Sequence, residues 1–250
     1  MKLALIGDPV EHSRSPQIQR QHLEEAAIDG SYVAIRVGKA NAVAAIRRMR
    51  QDGFTGCNVT FPLKEEALKA CDALTEEAQR ARAVNTIFFG REIIGANTDG
   101  IGARTAIETL IEESVALKRI GVLGYGATAR AILAELHDND AYAFVWGRDS
   151  KRVTEVCERF EAGRWPDENL PEIVVSTLPP DAQLPEALLS NLRSPDLVID
   201  VNYGLRATLV RKVDREIVSG DGMLEAQARA SFDFWLAQLD LADANEDATV

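Results

Sequence analysis

The sequence has fewer basic than acidic residues, and this deficit excludes function classes that depend on a basic surface. Lysine and arginine number 28 against 39 aspartates and glutamates, which gives a formal net charge of −11. Proteins that bind nucleic acid carry a basic footprint, so no nucleic-acid partner is expected. If the ligands are anionic, the positive charge that holds them must be concentrated locally.

The sequence also lacks long apolar runs and paired cysteines. No stretch approaches the ~18 apolar residues of a membrane span, and the apolar start ends at Gly7 before it could form a signal peptide. The three cysteines are odd in number and show no CxxC spacing, which indicates reduced thiols. No His/Cys cluster has metal-ligand spacing, so no metal is expected. We therefore expect a cytoplasmic protein with no membrane partner.

What the chain does contain is an alternation of apolar runs and helical patterns, which is typical of an α/β fold. In the first half the pattern predicts strands at 2–7, 31–37, 56–60, 84–89 and 92–96, and helices at 16–27, 40–51 and 64–74. Ser15 is the predicted N-cap of the first helix, with Pro16 at its first position. The last two strands are predicted to form a hairpin.

The second half shows another strand–helix array. The pattern predicts strands at 119–123, 141–146, 173–176 and 197–201, and helices at 101–112, 127–136 and 223–239. The tail, 240–250, is polar and is predicted to be frayed.

A glycine-rich turn follows the first strand of this second array. Gly124-Tyr125-Gly126-Ala127-Thr128-Ala129 fits the pattern G-x-G-x-x-A between a strand and a helix. The first glycine permits a tight turn, the second lets backbone amides approach a pyrophosphate, and the helix N-terminus favours negative charge. We interpret the turn as a dinucleotide site; the alternative is a tight turn between packed elements.

The residues after the next strand favour NADP over NAD. An NAD site places an acidic residue there for the ribose hydroxyls, whereas this chain has Gly147 followed by Arg148, Lys151 and Arg152. Three cations suit the 2′-phosphate of NADP. Asp149 lies among them and either orients an arginine or weakens phosphate binding. The alternative is that Lys151 and Arg152 begin a solvated helix.

Three polar runs outside the glycine turn suggest a reactive site. Lys64 lies in a run that includes Asn58-Val59-Thr60, Asp99 lies in Asn97-Thr98-Asp99-Gly100, and a third run is Ser13-Arg14-Ser15-Pro16. Hydroxyls, amides, a lysine and an aspartate beside a dinucleotide turn indicate reduction of a small, oxygen-rich molecule. Taken singly, Lys64 could be a surface lysine and Asp99 a helix cap.

These motifs resemble those of the shikimate dehydrogenase family, NADP-dependent enzymes that interconvert 3-dehydroshikimate and shikimate. The resemblance extends from Gly7 to about Trp235. It also rests on Pro62 and Lys64-Glu65, Ala83-Val84-Asn85-Thr86, the glycine turn ending in Arg130, Gly220-Asp221-Gly222-Met223-Leu224, and Gln227. Three motifs depart from the family: the usual Asn-Arg-Thr reads Gly147-Arg148-Asp149, the usual Asn-Ala-Thr-Ser stretch reads Val175-Ser176-Thr177-Leu178, and the proline usual after Tyr203 is absent.

The resemblance implies an α/β protein of two domains. These are an N-terminal α/β substrate domain at 1–99, completed by 222–250, and a Rossmann-type NADP-binding domain at 100–221. The C-terminal helices are expected to return to the first domain.

The resemblance also implies roles for individual residues. Lys64 is expected to be catalytic, with Asp99 as its partner. The expected substrate ligands are Ser13, Ser15 and Tyr203 for the carboxylate and Asn58, Thr60, Asn85 and Gln227, together with Asp99, for the ring hydroxyls. The predicted cofactor residues are Gly124, Gly126, Ala127, Thr128, Arg148, Lys151, Arg152, Thr177 and Met223.

The expected function is reduction of 3-dehydroshikimate with NADPH, in the biosynthesis of aromatic amino acids. An alternative is a quinate or mixed quinate/shikimate dehydrogenase using NAD(P), although serine at both Ser13 and Ser15 favours shikimate. From another class, a ligand sensor would keep the fold without turnover. The expected partner is a small molecule, and the expected state is a monomer or homodimer.

Overall fold

The computed structural model describes residues 1–165 and 170–247. The chain divides into two compact units: unit 1 comprises Met1–Thr98 and Gln227–Val250, and unit 2 comprises Asp99–Ala226. Each unit is built on a six-stranded sheet. Among the described residues, no helix combines the length and the apolar character needed to cross a membrane.

Unit 1 contains a mixed sheet with the order β2-β1-β3-β5-β6-β4. Its strands are β1 (Lys2–Gly7), β2 (Ser31–Arg36), β3 (Gly56–Val59), β4 (Ala73–Leu74), β5 (Thr86–Phe89) and β6 (Ile93–Ala96). Its helices before residue 99 are α1 (Ser15–Glu25), α2 (Ala42–Gln51), α3 (Lys64–Ala67) and α4 (Glu76–Ala81). Strand β1 is parallel to β2 and β3, whereas β5 is antiparallel to β3 and β6, as the predicted hairpin requires.

Two local predictions in unit 1 are wrong. The helix predicted at 64–74 ends at Ala67 and continues only as a 3₁₀ turn to Ala70, after which Ala73–Leu74 pairs with β6 as an edge strand. Ser15 is the first residue of α1, and the capping position belongs to Arg14. Ser15 is displaced into the helix because its own N–H donates to the hydroxyl of Ser13.

Unit 2 contains a sheet whose strand pairs are all parallel, with the order β12-β11-β10-β7-β8-β9. Its strands are β7 (Arg119–Leu123), β8 (Tyr142–Trp146), β9 (Gly163–Arg164), β10 (Ile173–Ser176), β11 (Leu197–Asp200) and β12 (Val218–Ser219). Its helices are α5 (Asp99–Ile111), α6 (Ala127–Asp138), α7 (Ser150–Phe160), α8 (Glu186–Asn191) and the start of α9 (Asp221–Asp247). This is the strand order of a Rossmann sheet. Successive strands are added first on one side of the first strand, here β7, and then on its other side.

Apolar strands form the core of each unit. In unit 2, Val122, Val145 and Val175 lie on neighbouring strands and are almost fully buried. A parallel sheet is covered on both faces, which is why its strands read as continuous apolar runs.

The C-terminal helix α9 is longer than predicted, because it continues through Asp247. Frayed ends are therefore not found at 240–247, and 248–250 lie outside the described residues. In unit 1 this helix contributes Trp235, whose side chain is fully buried and whose Nε1 donates to the carbonyl of Ile87 at 2.9 Å. Gly56 allows this approach, since a Cβ there would lie 2.4 Å from Nε1.

Candidate active site

The loop after β1 brings two predicted substrate ligands together. The hydroxyl of Ser13 donates to that of Ser15 at 3.2 Å, and the same Ser13 oxygen accepts the N–H of Ser15 at 3.2 Å. Ser15 is buried in the first turn of α1. Two hydroxyls at a helix N-terminus form a favourable environment for a carboxylate, since free amides and the helix dipole also act there.

Thr60 lies at the same sheet edge as this loop, because β1 and β3 are parallel neighbours. Its N–H donates to the carbonyl of Ile6 at 2.9 Å. The methyl group of Thr60 packs so closely on Gly7 that a Cβ at Gly7 would lie 2.4 Å from it. The glycine that ends β1 therefore sets the position of the threonine that follows β3.

Lys64 is tied by its backbone to the residue before Asn85. It is the first residue of α3, and its carbonyl accepts the N–H of Val84 at 2.9 Å. The side chain of Lys64 is half-buried. One backbone bond thus holds the predicted catalytic lysine next to a predicted substrate ligand.

The carboxamide of Asn85 is buried and oriented by its neighbours. Its oxygen accepts the N–H of Thr98 at 2.8 Å and the hydroxyl of Thr86 at 2.9 Å. Its nitrogen donates to the hydroxyl of Thr98 at 3.0 Å and lies 3.5 Å from Oε1 of Gln227. Asn85 and Gln227 are therefore adjacent, although 142 positions separate them in the sequence.

Asn58 is held on both sides by buried groups, of which Tyr32 and Ser231 were not assigned to the site by the sequence analysis. Its oxygen accepts the hydroxyl of Tyr32 at 2.8 Å. Its nitrogen donates to the hydroxyls of Ser231 at 3.0 Å and Thr86 at 3.2 Å, and to the carbonyl of Asn85 at 3.2 Å. Burial raises the pKa of the Tyr32 phenol, which stays a donor. These contacts orient Asn58 next to Asn85 within unit 1, and its role as a substrate ligand stays a prediction.

Ser231 is the centre of this buried network. Its side chain is fully buried, lies one helical turn after Gln227, and donates to the Gln227 carbonyl at 2.9 Å. Its hydroxyl is also 2.8 Å from that of Thr86 and 3.0 Å from that of Thr98. The spacing of four from Gln227 was the available sequence signal, since residues i and i+4 share a helix face.

In unit 2, Asp99 begins α5 and is almost fully buried. Its Oδ2 accepts the hydroxyl of Thr128, a predicted cofactor residue in the first turn of α6, at 3.0 Å. Asp99 and the start of the cofactor helix are thus linked directly. Tyr203, which follows β11, is half-buried and precedes a 3₁₀ turn at Gly204–Arg206.

The glycine turn of unit 2 has the backbone that a dinucleotide requires. Gly124 has φ of +119°, a conformation that side chains disfavour. A Cβ there would also lie 2.3 Å from Oγ1 of Thr177, whose hydroxyl donates to the Leu123 carbonyl at 2.9 Å. A Cβ at Gly126 would meet no atom within 4 Å, so the space before α6 is open to a phosphate. These residues fit the pyrophosphate of a dinucleotide.

The basic segment after β8 is organised by Asp149. This residue caps α7, because its Oδ1 accepts the N–H groups of Lys151 at 3.0 Å and Arg152 at 3.2 Å. Its Oδ2 lies 3.9 Å from Nε of Arg152. All three predicted cofactor cations of this segment, Arg148, Lys151 and Arg152, are exposed. Met223, by contrast, is buried in the core of unit 2.

The sheet order of unit 2 and its glycine turn define a dinucleotide-binding protein of the Rossmann class. Unit 1 adds a cluster of buried hydroxyls and amides. Comparison with known proteins gives the family. Residues 5–87 match the model of the shikimate dehydrogenase substrate binding domain.

Two curated relatives and one solved structure show how far the similarity extends. The shikimate dehydrogenase (NADP(+)) of Gluconobacter oxydans is 37% identical, covering 94% of this chain and 90% of that protein. The Jannaschia enzyme of the same name is 33% identical, covering 92% and 90%. Shikimate 5-dehydrogenase from Thermus thermophilus, solved in complex with NADP(H) and shikimate, has a TM-score of 0.81 at 28% identity, covering 94% and 93%. This chain belongs to the shikimate dehydrogenase family.

Proposed function

We propose that this chain reduces 3-dehydroshikimate to shikimate with NADPH, reversibly, in the shikimate pathway that leads to aromatic amino acids. It is an NADP-dependent oxidoreductase by family. The relatives that share a third of its sequence over nine-tenths of their length carry this activity in their names. The similar solved structures include complexes with NADP and shikimate.

The two units have separate tasks in this proposal. Residues 1–99 with 222–250 bind the substrate, a role supported by the family model that covers 5–87. Residues 100–221 bind NADP, a role supported by the open glycine turn and the basic segment after β8. The compact units of the fold divide near these positions, between Thr98 and Asp99 and between Ala226 and Gln227.

One observation carries the proposed activity: Lys64 is held beside Asn85 by the backbone bond from Val84. This bond ties the backbone of the half-buried lysine to the residue before Asn85, whose buried carboxamide is oriented by Thr98, and both features support the proposal. Ser13 and Ser15 come after β1 and Thr60 comes after β3, so all three lie at neighbouring strand ends of the same sheet. This combination suits a polyhydroxylated carboxylate that carries one carbonyl.

The residues then divide the reaction among them. Ser13 and Ser15 hold the substrate carboxylate, and Asn85 with Gln227 orients the ring hydroxyls. NADPH, when bound, supplies the hydride that forms the new C–H bond. Lys64 donates a proton to the carbonyl oxygen as that oxygen gains charge, and in the reverse direction its neutral amine removes it. Asp99 is the proposed second catalytic residue, buried at the start of α5.

Substitution of Lys64 tests this assignment. Lys64→Ala should lower kcat by about 10²- to 10⁴-fold, the usual range for loss of a general acid, and should raise KM for 3-dehydroshikimate far less. The matched control is Lys69→Ala, which removes an exposed lysine beyond the end of α3 that pairs with Glu66. Wild-type kcat in Lys64→Ala would exclude Lys64 as the proton donor.

The oligomeric state and the cellular location of the protein are also part of the proposal. We infer a monomer or homodimer, and the three unpaired thiols support a location in the cytoplasm. Burial raises the pKa of the Cys57 thiol strongly and that of Cys71 to about 12, so neither thiol is reactive at neutral pH.

A further inference from the structure

The second residue of the glycine turn, Tyr125, packs its ring directly on Gly147. A Cβ at Gly147 would lie 2.4 Å from Cδ1 and 2.6 Å from Cε1 of that ring. No real Cβ tolerates such distances, so the tyrosine and the glycine form a matched pair. The absence of a side chain at Gly147 therefore leaves room for the ring of Tyr125.

The ring of Tyr125 also lies near a cation. The guanidinium of Arg152 lies over the ring at 5.6 Å from its centroid, within the range of a cation–π contact. Asp149 reaches the same arginine, with Oδ2 at 3.9 Å from Nε, while its Oδ1 caps the helix. Arg152 is therefore held between an aromatic face and a carboxylate, although its side chain is two-thirds exposed.

We propose that Tyr125 is a positioning residue that determines specificity for the phosphorylated dinucleotide, because it fixes Arg152 for the 2′-phosphate. This inference rests on the proposed use of NADP. A free arginine on a helix surface samples many rotamers and loses that freedom on binding an anion. Because the ring of Tyr125 already restrains Arg152, its guanidinium loses less conformational freedom on binding the 2′-phosphate. Binding of the rest of the nucleotide is unaffected.

A merely structural role for the ring makes a different prediction. If Tyr125 only fills the space above Gly147, its removal should weaken all nucleotides alike or lower stability alone. If it acts through Arg152, its removal should weaken only ligands that carry the 2′-phosphate, and only while Arg152 is present.

Calorimetry with two adenosine fragments separates these roles. The probes are 2′,5′-ADP, which carries the 2′-phosphate, and 5′-AMP, which lacks it. We expect Tyr125→Ala to weaken 2′,5′-ADP about three- to five-fold, the scale of a lost cation–π contact, with less than about two-fold change for 5′-AMP. Tyr125→Phe keeps the ring and should restore the wild-type ratio of the two dissociation constants. Tyr142→Ala, which removes an exposed tyrosine at the far end of β8, is the matched control.

The arginine background completes the test. In Arg152→Met, 2′,5′-ADP should bind more weakly, and adding Tyr125→Ala should change its affinity no further. An unchanged ratio in Tyr125→Ala, or an equal loss in the Arg152→Met background, would overturn the role of Tyr125. Failure of the wild-type protein to bind 2′,5′-ADP would instead overturn the proposed use of NADP itself.

Thermal unfolding provides a readout of the matched pair that is independent of the ligand. Gly147→Ala should lower the melting temperature, because its Cβ meets the ring, and Tyr125→Ala should relieve that loss in the double variant. A melting temperature unaffected by Gly147→Ala would contradict the packing on which the inference rests.

Discussion

At the scale of single residues, Asn58 shows how buried hydrogen bonds can orient a polar side chain of the candidate site. Its oxygen and nitrogen lie within hydrogen-bond distance of groups on strand β5, on helix α9, on Asn85 and on Tyr32. A buried amide with these partners is fixed in one orientation. Turning it would leave a buried polar group without a hydrogen-bond partner, and burial keeps out the water that would replace that partner.

Substitution of Tyr32 should reveal the worth of this support. Tyr32→Phe leaves the Asn58 oxygen without its donor and should lower the free energy of unfolding by about 1–3 kcal/mol. Urea denaturation measures the change. Tyr142→Phe, at an exposed position, should stay within about 0.5 kcal/mol of the wild type. Equal effects in the two variants would show that the Tyr32 hydroxyl does not stabilise the fold.

Ser13 is expected to act on binding more than on chemistry. A hydroxyl that holds the substrate carboxylate acts equally in the ground and transition states, so Ser13→Ala should raise KM with little change in kcat. Bonds to charged groups contribute about 1.5–3 kcal/mol, which corresponds to roughly ten- to hundred-fold in KM. Steady-state kinetics, with the exposed Ser31→Ala as control, measures the split. A fall in kcat alone would give Ser13 another role.

At the scale of elements, the strands of four or more residues could be predicted, because each is a continuous apolar run. The two-residue strands β4, β9 and β12 and the helices α4, α7 and α8 were not predicted. The segment 64–74 could not be predicted either, since its apolar residues fit a helix as well as an edge strand. What decides the outcome is remote: Asp72 donates its N–H to the Ile93 carbonyl and accepts the Ile93 N–H on its carboxylate, both at 2.8 Å. A local pattern contains no information on such a partner.

Helix α4 was missed although a local signal exists. Thr75 accepts the N–H of Ala78 at its side chain, and Glu76 and Glu77 occupy the first turn. A capping threonine followed by acidic residues is a start signal for a helix. The helix has only six residues, too few for its periodicity to stand out.

The last residue of β11 is a buried carboxylate that should make stability depend on pH. Asp200 is 2% exposed, and burial raises its pKa above the usual range despite hydrogen bonds from Asn202 and the Leu209 N–H. The folded state therefore binds the proton more tightly than the unfolded state. The contribution of Asp200 to stability is highest below the unfolded-state pKa and falls as pH rises through the folded-state pKa.

Asp200→Asn isolates this effect, because the amide does not titrate. The free energy of unfolding of the wild type minus that of Asp200→Asn should fall as pH rises from the ordinary pKa of an aspartate, about 4, through the raised pKa of the folded state, as the wild-type carboxylate ionises. Urea titrations at several pH values give the difference. A difference that rises with pH would mean that the folded protein favours the charged form.

At the scale of the whole molecule, the motifs indicated the family and its two tasks before any fold was known. The motifs did not predict the buried groups that contact Asn58. Ser231 meets Asn58 across 173 positions, and Tyr32 meets it across 26. Such contacts follow from the return of α9 to unit 1 and from strand order, which no single motif encodes.

The activity of the whole chain is tested most directly by absorbance at the reduced-nicotinamide band. Purified protein is mixed with shikimate or quinate, each with NADP or NAD, and with Lys64→Ala in parallel. We expect fast reduction of the cofactor only with shikimate and NADP, and almost none with the variant. Preferential turnover of quinate would move the protein to the alternative activity, and silence in all four mixtures despite ligand binding would contradict catalysis and favour a ligand sensor.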